Sequence, residues 1–556
     1  MQDAIALDAR RVKRRRLRLR ERARACAPTL PRLALAAASS LLLILSFPDF
    51  NLWWLAWVGL APLLVAVCAQ PQPRPAQAFV LGWATGTLYF YGSCWWLTYS
   101  MIHFGGIPAW LAYPLLVPPT LVVGLFPALC CLIIARVASR LNTATALVVA
   151  PFAWVACEWA RLLVTGQLWN AVGYTQAYHP TLIQSAEWGG VYAVGFLILT
   201  VNAALPFALL KRNKRAYLTA TIIVSLVALT IWLNAVLSLL AIPVKPVFAA
   251  DVIALQPNVE PNFKRTQAEN DALVARHLSM SALAVAALDS RAKELAASIK
   301  TPDAASIALT TPPRVIIFPE SPMNFEYARD AEFRELIGNF ARQEHASIIF
   351  NSLEPAPAGG AYNSAVMVNE EGRLVAQYDK IRLLPFGEYV PLPRWLGGGL
   401  LGGLVGDFTP GANYTLLPLG QARAGVFICF ESAFPSIART FTNAGADVLI
   451  NISNDGYLGK TPVLRQHLAN VVFRAVENRR TILRVTNTGI STRITPDGEV
   501  LDATDSFQPA TRTWTISRAS GGTTFYTRHG DLFVEACSLF SLLVLAATWR
   551  RRGTAS

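Results

Sequence analysis

The run AGVFICFES at residues 424–432 sets three features side by side: a short apolar segment, one cysteine, and a carboxylate two residues beyond it. Val426, Phe427 and Ile428 predict a short buried strand. Ser432 is placed to cap a helix beginning at Ala433. Cys429 then falls at a strand-to-helix turn, where a side chain can be held at the rim of a sheet. It is the only cysteine between Asp251 and Ser520. The other seven, Cys26, Cys68, Cys94, Cys130, Cys131, Cys157 and Cys537, lie in or beside apolar runs. A free cysteine is by itself more often a small buried hydrophobe than a nucleophile, so its meaning depends on the rest of the chain.

At 556 residues the chain exceeds the usual size of one domain. A hydrophobic content of 53% with 15% charged residues is wrong for a soluble enzyme. It suits a membrane protein that carries a sizeable water-soluble part. The net charge of +14 does not mark a nucleic-acid binder, because the basic residues cluster at the ends of apolar segments rather than on one face. Eight cysteines without CxxC or Cys/His spacing argue against zinc and against a disulfide framework.

Residues 1–32 form a basic tail of ten Arg and Lys between positions 10 and 24, against three acids. Such a tail stays in the cytoplasm. Apolar runs follow at about 33–48, 53–70, 77–100, 108–135, 143–164, 189–210 and 216–242, with a last one at 530–548. Each is near or above the ~20 residues a helix needs to cross the hydrocarbon. Arg74, Arg136, Arg140, Lys211, Arg212, Lys214 and Arg215 fall in alternate connections, and Arg550, Arg551 and Arg552 follow the last run. The positive-inside rule then predicts eight spans, seven before and one after an outer domain, with both termini cytoplasmic. The expected divisions are a tail at 1–32, a membrane block at 33–245, the outer domain at 250–519, a final helix at 529–549 and a tail at 550–556. Within the block, Glu158 lies three residues before Arg161, as a helical pair or a functional acid. The aromatic residues of the 165–188 connection and of YGSCWWLTYS at 91–100 suit an interfacial belt.

From Asp251 the pattern becomes that of a layered α/β domain. Strands are expected near 251–256, 314–319, 347–351, 364–369, 373–378, 424–428, 447–450 and 482–485. Helices are expected near 266–299, 330–344, 432–444 and 463–479, and a hairpin at the EEG turn of 370–372. The segment RWLGGGLLGGLVGDFTPG at 394–411 holds seven glycines amid Trp and Leu. It is too flexible for a helix and too apolar for an ordinary loop, and suits a lid that touches lipid through Trp395, Leu400 and Leu401.

Three strand ends carry reactive groups: Glu320 after RVIIFP, Lys380 after RLVAQYD with Glu388 eight residues on, and Cys429. No histidine lies beside these segments in sequence; His345 and His467 fall on helix-like stretches. A cysteine needs a base to become a thiolate. A carboxylate held out of water can serve, and a lysine can stabilise a tetrahedral oxyanion.

The segments FPES, YDKIRLLPFGEYVP and CFE resemble the Glu–Lys–Cys triad of the nitrilase (carbon–nitrogen hydrolase) superfamily. The flanking spans narrow the resemblance to the apolipoprotein N-acyltransferase family, which covers nearly all of the chain beyond residue 32, including QPN at 256–258, NISND at 451–455 and TGIS at 488–491. The resemblance implies an α-β-β-α sandwich facing the periplasm from a bacterial inner membrane. It implies Glu320 as general base, Lys380 as oxyanion stabiliser, Cys429 as nucleophile, Glu388 positioning Lys380 or assisting the base, and Glu431 in support. Phe430 stands where relatives often have a hydroxyl-bearing aromatic, and Arg265 where they can have tryptophan. The implied reaction is acyl transfer from a phospholipid, through a cysteine thioester, to the amine of a diacylated apolipoprotein, by a monomer with no cofactor, metal or nucleic acid. Two other readings remain: a membrane-tethered amidase of small amides, and a transporter or receptor with an outer sensor domain.

Overall fold

The computed structural model describes residues 26–240, 247–262, 265–298, 312–320, 325–357, 359–390, 408–519 and 521–550. Helices occur at each of the eight apolar runs. They are α1 (Leu30–Ser46), the broken segment Trp53–Cys68 with α2 (Ala61–Cys68), α3 (Pro75–Ser93), α4 (Val117–Arg140), α5 (Thr143–Thr165), α6 (Ala186–Lys211), α7 (Lys214–Leu240) and, at the end of the chain, α12 (Leu532–Arg550). Six helices among the described residues are long and apolar enough to cross a membrane. Five belong to this set, while the sixth lies within α8 (Gln267–Ser298). That helix packs Val285, with Val274 and Leu278, against the outer face of a β-sheet instead.

The α/β domain has two six-stranded sheets. One runs β12-β1-β2-β3-β4-β5, from β1 (Phe248–Gln256), β2 (Arg314–Ile317), β3 (Ala346–Pro355), β4 (Ala361–Val368), β5 (Leu374–Asp379) and β12 (Ala510–Ser517). The other runs β11-β10-β9-β8-β7-β6, from β6 (Leu416–Leu419), β7 (Ala422–Ile428), β8 (Val448–Ser453), β9 (Thr481–Thr486), β10 (Thr492–Ile494) and β11 (Val500–Leu501). Period-two alternation gives each strand two working faces. Ile253, Ile316, Ile348 and Val366 pack under α8 and α9 (Ala331–Glu344), while Val252, Val315, Ile349 and Ala365 join the core shared with Val426, Ile450 and Leu483 of the second sheet. Helices α10 (Pro435–Asn443) and α11 (Val463–Asn478) cover that sheet, which completes the expected four layers. All eight expected strands form; β6, β10, β11 and β12 are additional. The hairpin at 370–372 joins β4 to β5, with Gly372 at φ +75°.

One local expectation fails. Residues Cys429–Ala433 form a tight 3-10 turn, and the helix begins at Pro435, not at Ala433. Proline at the first helical position has the required φ and no N–H to satisfy. Ser432 caps nothing; its hydroxyl is buried without a hydrogen-bond partner among the described atoms.

Helix α11 is buried on every side except at Arg465. One face covers the second sheet, and the other meets the membrane block. Its apolar residues fill both contacts, and its buried polar side chains, Gln466, His467, Arg474 and Glu477 among them, are hydrogen-bonded there. The aromatic residues of 165–188 are therefore not a simple interfacial belt. Trp169 and Tyr174 are buried in this seam, where Tyr174 packs edge-on against Phe473 of α11, while Trp188 stays exposed. Trp96 of the 91–100 stretch is likewise buried. Glu158 and Arg161 form no ion pair with each other among the described residues. Glu158 Oε1 accepts the Val172 amide at 2.9 Å, and Arg161 Nη1 donates to the Trp169 carbonyl at 2.7 Å. Both residues hold the connection that the domain sits on.

Candidate active site

Glu320, Lys380 and Cys429 follow β2, β5 and β7 and meet at one end of the sandwich. Lys380 is almost wholly buried. Its Nζ lies 2.9 Å from Glu388 Oε1 and 3.5 Å from Glu320 Oε1. Asn363 Nδ2 donates to both carboxylates, at 2.7 Å to Glu388 and 3.0 Å to Glu320. Asn363 is itself held by Asn351 Nδ2 at 2.7 Å. The Leu384 amide fixes the other oxygen of Glu388 at 2.7 Å, and the Asn454 amide that of Glu320 at 3.0 Å. Burial opposes charge on Lys380, but the two carboxylates outweigh it and hold its pKa above the ordinary lysine range. It is an ammonium at any working pH, suited to a developing oxyanion.

Cys429 is partly exposed and has φ +51°, a left-handed backbone at a non-glycine residue. Burial pushes its thiol up, the Glu320 carboxylate adds to the rise, and Lys380 opposes it without cancelling it. The resting group is a neutral thiol, so reaction needs a base at the moment of attack rather than a stored thiolate. Glu431, fully buried, ties the two functional turns together. Its Oε1 accepts the amides of Ile381 at 2.8 Å and Arg382 at 3.0 Å, and its Oε2 that of Ile428 at 2.8 Å. Tyr378 donates to the same carboxylate at 2.9 Å. Burial raises its proton affinity, against the pull of these donors.

Phe430 reaches the membrane block. Its ring stacks on Trp169 at 6.2 Å and meets Phe434 edge-on at 5.4 Å. Arg265 Nη2 donates to the Glu260 carbonyl at 2.5 Å. Trp395, Leu400 and Leu401 lie outside the described residues. Phe408, where description resumes, donates its amide to the Glu388 carbonyl at 3.3 Å, and Gly411 donates to the Lys380 carbonyl at 2.8 Å. A Cβ on Gly411 would lie 2.2 Å from the Asp379 carbonyl oxygen, so a side chain cannot fit there.

A histidine distant in sequence reaches the site. His467 Nε2 lies 3.0 Å from the Cys429 carbonyl oxygen, brought there from 38 residues away by the packing of α11 against the turn. Asn363 was also missed. It sits in mid-strand, two residues into the AYNSAVMV run, with nothing in its spacing to separate it from an ordinary strand residue.

The family model for the apolipoprotein N-acyltransferase N-terminal domain matches residues 39–204, and that for carbon-nitrogen hydrolase matches 252–526. The apolipoprotein N-acyltransferase of Geobacter metallireducens is 32% identical over 93% of this chain and 95% of its own. Those of Chromobacterium violaceum (28%, 93% and 94%) and Thermotoga maritima (29%, 90% and 90%) align over similar lengths. An amidase of Nesterenkonia sp. AN1 overlaps 52% of this chain and 98% of its own at 15% identity, with a TM-score of 0.34, too low to carry an argument. Two family matches in the order membrane block then hydrolase domain, and a relative alike across almost the full length, give one conclusion: the chain belongs to the apolipoprotein N-acyltransferase family.

Proposed function

We propose that the chain moves an acyl group from the sn-1 ester of phosphatidylethanolamine to the α-amine of a diacylglyceryl-cysteine at the N-terminus of an apolipoprotein. Cys429 Sγ attacks the ester carbonyl while Glu320 takes the thiol proton. Lys380, fixed by Glu388, steadies the tetrahedral oxyanion. The C–O bond breaks, Glu320 returns the proton to the glycerol oxygen, and a lysophospholipid leaves a thioester on Cys429. The amine then attacks the thioester, Glu320 takes its proton, the C–S bond breaks, and the thiol is restored with an amide as product. Glu431 holds the turns that carry Lys380 and Cys429.

The reading places eight spans in the inner membrane, the divisions 33–245, 250–519 and 529–549, both tails in the cytoplasm, and the α/β domain of a monomer in the periplasm. The alternation of Arg and Lys between connections supports this orientation. The observation that carries the function is where Cys429 lies. Phe430, next to the nucleophile, stacks on Trp169 of the connection that follows α5. A site at the membrane surface need not draw acyl chains into water, which costs ~0.8 kcal/mol per CH₂.

Intact-mass spectrometry tests this, on purified protein incubated with phosphatidylethanolamine, wild type beside C429A. An acyl mass on the wild type alone, cleared by a diacylated lipopeptide, is the expected result. An adduct that clears in water alone assigns the chain to the hydrolases, and absence of any adduct overturns the proposal.

A further inference from the structure

We infer that His467 is a positioning residue for Cys429, and that Gln466 beside it fastens this position to the membrane block. The inference rests on Cys429 as the nucleophile. A left-handed φ at a residue with a Cβ is strained and persists only where the surroundings over-determine it. Here the backbone is held one residue before Cys429 and again at the Cys429 carbonyl. Glu431 takes the Ile428 amide at 2.8 Å, and His467 Nε2 meets the Cys429 carbonyl at 3.0 Å. A carbonyl can only accept, so Nε2 carries the proton.

The imidazole has its own support. Its Nδ1 lies 2.9 Å from Asp455 Oδ1 and 3.2 Å from Arg484 Nη2. Arg484 donates to Asp455 Oδ2 at 2.7 Å and to the Asn451 side chain, and the Ser453 hydroxyl donates to Asp455 Oδ1 at 3.1 Å. Burial opposes the charge of Asp455, but Arg484 and His467 outweigh it and hold its carboxyl below the usual range. A Cβ on Gly489 would lie 2.2 Å from Asp455 Oδ2, so the glycine makes room for this pair. Second-layer groups of this kind set the orientation of a reacting residue.

Gln466 extends the support across the seam. Its Oε1 accepts the indole N–H of both Trp96 and Trp169 at 3.0 Å. Its Nε2 donates to the carbonyls of Pro48 and Ser93 at 3.0 Å. Four hydrogen bonds to three connections of the membrane block thus end one residue from the group that holds the nucleophile. The block orients Cys429 as well as anchoring the domain.

The test uses the full chain in detergent with H467F, H467Q and H467N. Two rates are read: acylation by phosphatidylethanolamine, with its half-saturation, and carbamidomethylation of Cys429 by iodoacetamide, located by peptide mapping. A misplaced reacting group costs up to about 100-fold. H467F lowers both rates about 10- to 100-fold with half-saturation within about 2-fold of wild type. Glutamine, whose amide nitrogen reaches the place of Nε2, restores most of the loss; asparagine, one bond shorter, does not. Q466L lowers both rates in the same direction by less. Wild-type rates in folded H467F overturn the inference, as do equal rates in H467Q and H467N should the phenylalanine variant not fold. If wild type gives no acyl adduct, the proposed function fails, while the carbamidomethylation rates still decide the role of His467.

Discussion

The cluster around Cys429 and the seam between the α/β domain and the membrane block both bury charge, and they differ in the balance. Beside Cys429 one ammonium, Lys380, faces two carboxylates, Glu320 and Glu388. In the seam Arg474 and Glu477, both fully buried, pair one to one at 2.7 Å. Arg474 also reaches the Tyr174 hydroxyl of the membrane block at 3.2 Å. Glu477 accepts the Val191 amide at 3.1 Å, just past the break in α6 at Gly189 and Gly190, and its carbonyl takes the hydroxyls of Thr524 and Thr527 before α12. The matched pair joins three parts of the chain. The unmatched set leaves one carboxylate beside a thiol that has a proton to give. A buried charge alone therefore does not mark chemistry; a carboxylate in excess beside a nucleophile does.

Under the proposed function, removing the Cys429 thiol gives the largest expected effect. C429A loses acyl transfer by more than about 1,000-fold with unchanged thermal unfolding, read by product formation and differential scanning fluorimetry. K380M loses about 100- to 1,000-fold, since it removes the charge that meets the oxyanion. A K380M protein with more than a tenth of wild-type rate would put the Cys429 cluster in the same class as the seam.

The seam should respond in the opposite way. R474M leaves Glu477 buried without its cation, at about 3–5 kcal/mol of stability. Arg474 also donates to the Ser432 carbonyl at 3.3 Å, in the turn that carries Cys429, yet acylation per folded molecule stays within about 3-fold of wild type, because Glu431 and His467 still hold Ile428 and Cys429. Pairing it with E477L recovers only part of the stability, because the apolar pair has no charge to desolvate while the Val191 amide loses its acceptor. A loss of rate in folded R474M would show that the two clusters are coupled.

The seam also has a pH signature. Burial raises the Glu477 carboxyl from 4.5 to about 7, ahead of the opposing pull of Arg474. Between those values the folded chain keeps a proton that the unfolded chain has released. Stability contributed by this group is therefore full below pH 4.5 and declines until about pH 7. The melting temperature of E477Q should lack that decline, which a pH series on both proteins reads directly.

Much of this was legible in the sequence, and what was not has a physical reason. Alternation and apolar length place every expected strand and a helix at each expected span, because both signals are local. Glu320, Lys380 and Cys429 stand at strand ends, where position itself suggests a role. His467 and Asn363 do not. The first sits on a helix in a run of buried residues and becomes a partner of Cys429 only when α11 packs beside the turn. The second joins two acids that lie 43 and 25 residues away. Ser432 misled because its neighbour Pro435 is the stronger signal for a helix start. The seam was read as an interfacial belt because aromatic residues that meet lipid and those that meet another domain look the same in sequence.

Glu158 gives the smallest expected effect and separates two kinds of buried acid. Its Oε1 accepts the Val172 amide at 2.9 Å, close to where Arg161 holds Trp169. A glutamine offers the same acceptor without the charge. E158Q should then change the acylation rate by less than about 3-fold, whereas E158L, which strands the amide, should cost about 1–3 kcal/mol of stability. If E158Q instead loses rate while its melting temperature holds, ionisation at this position matters to the reaction. Glu158 would then belong with Glu320 and Glu388 rather than with Glu477, and the charge that matters would extend into the membrane block.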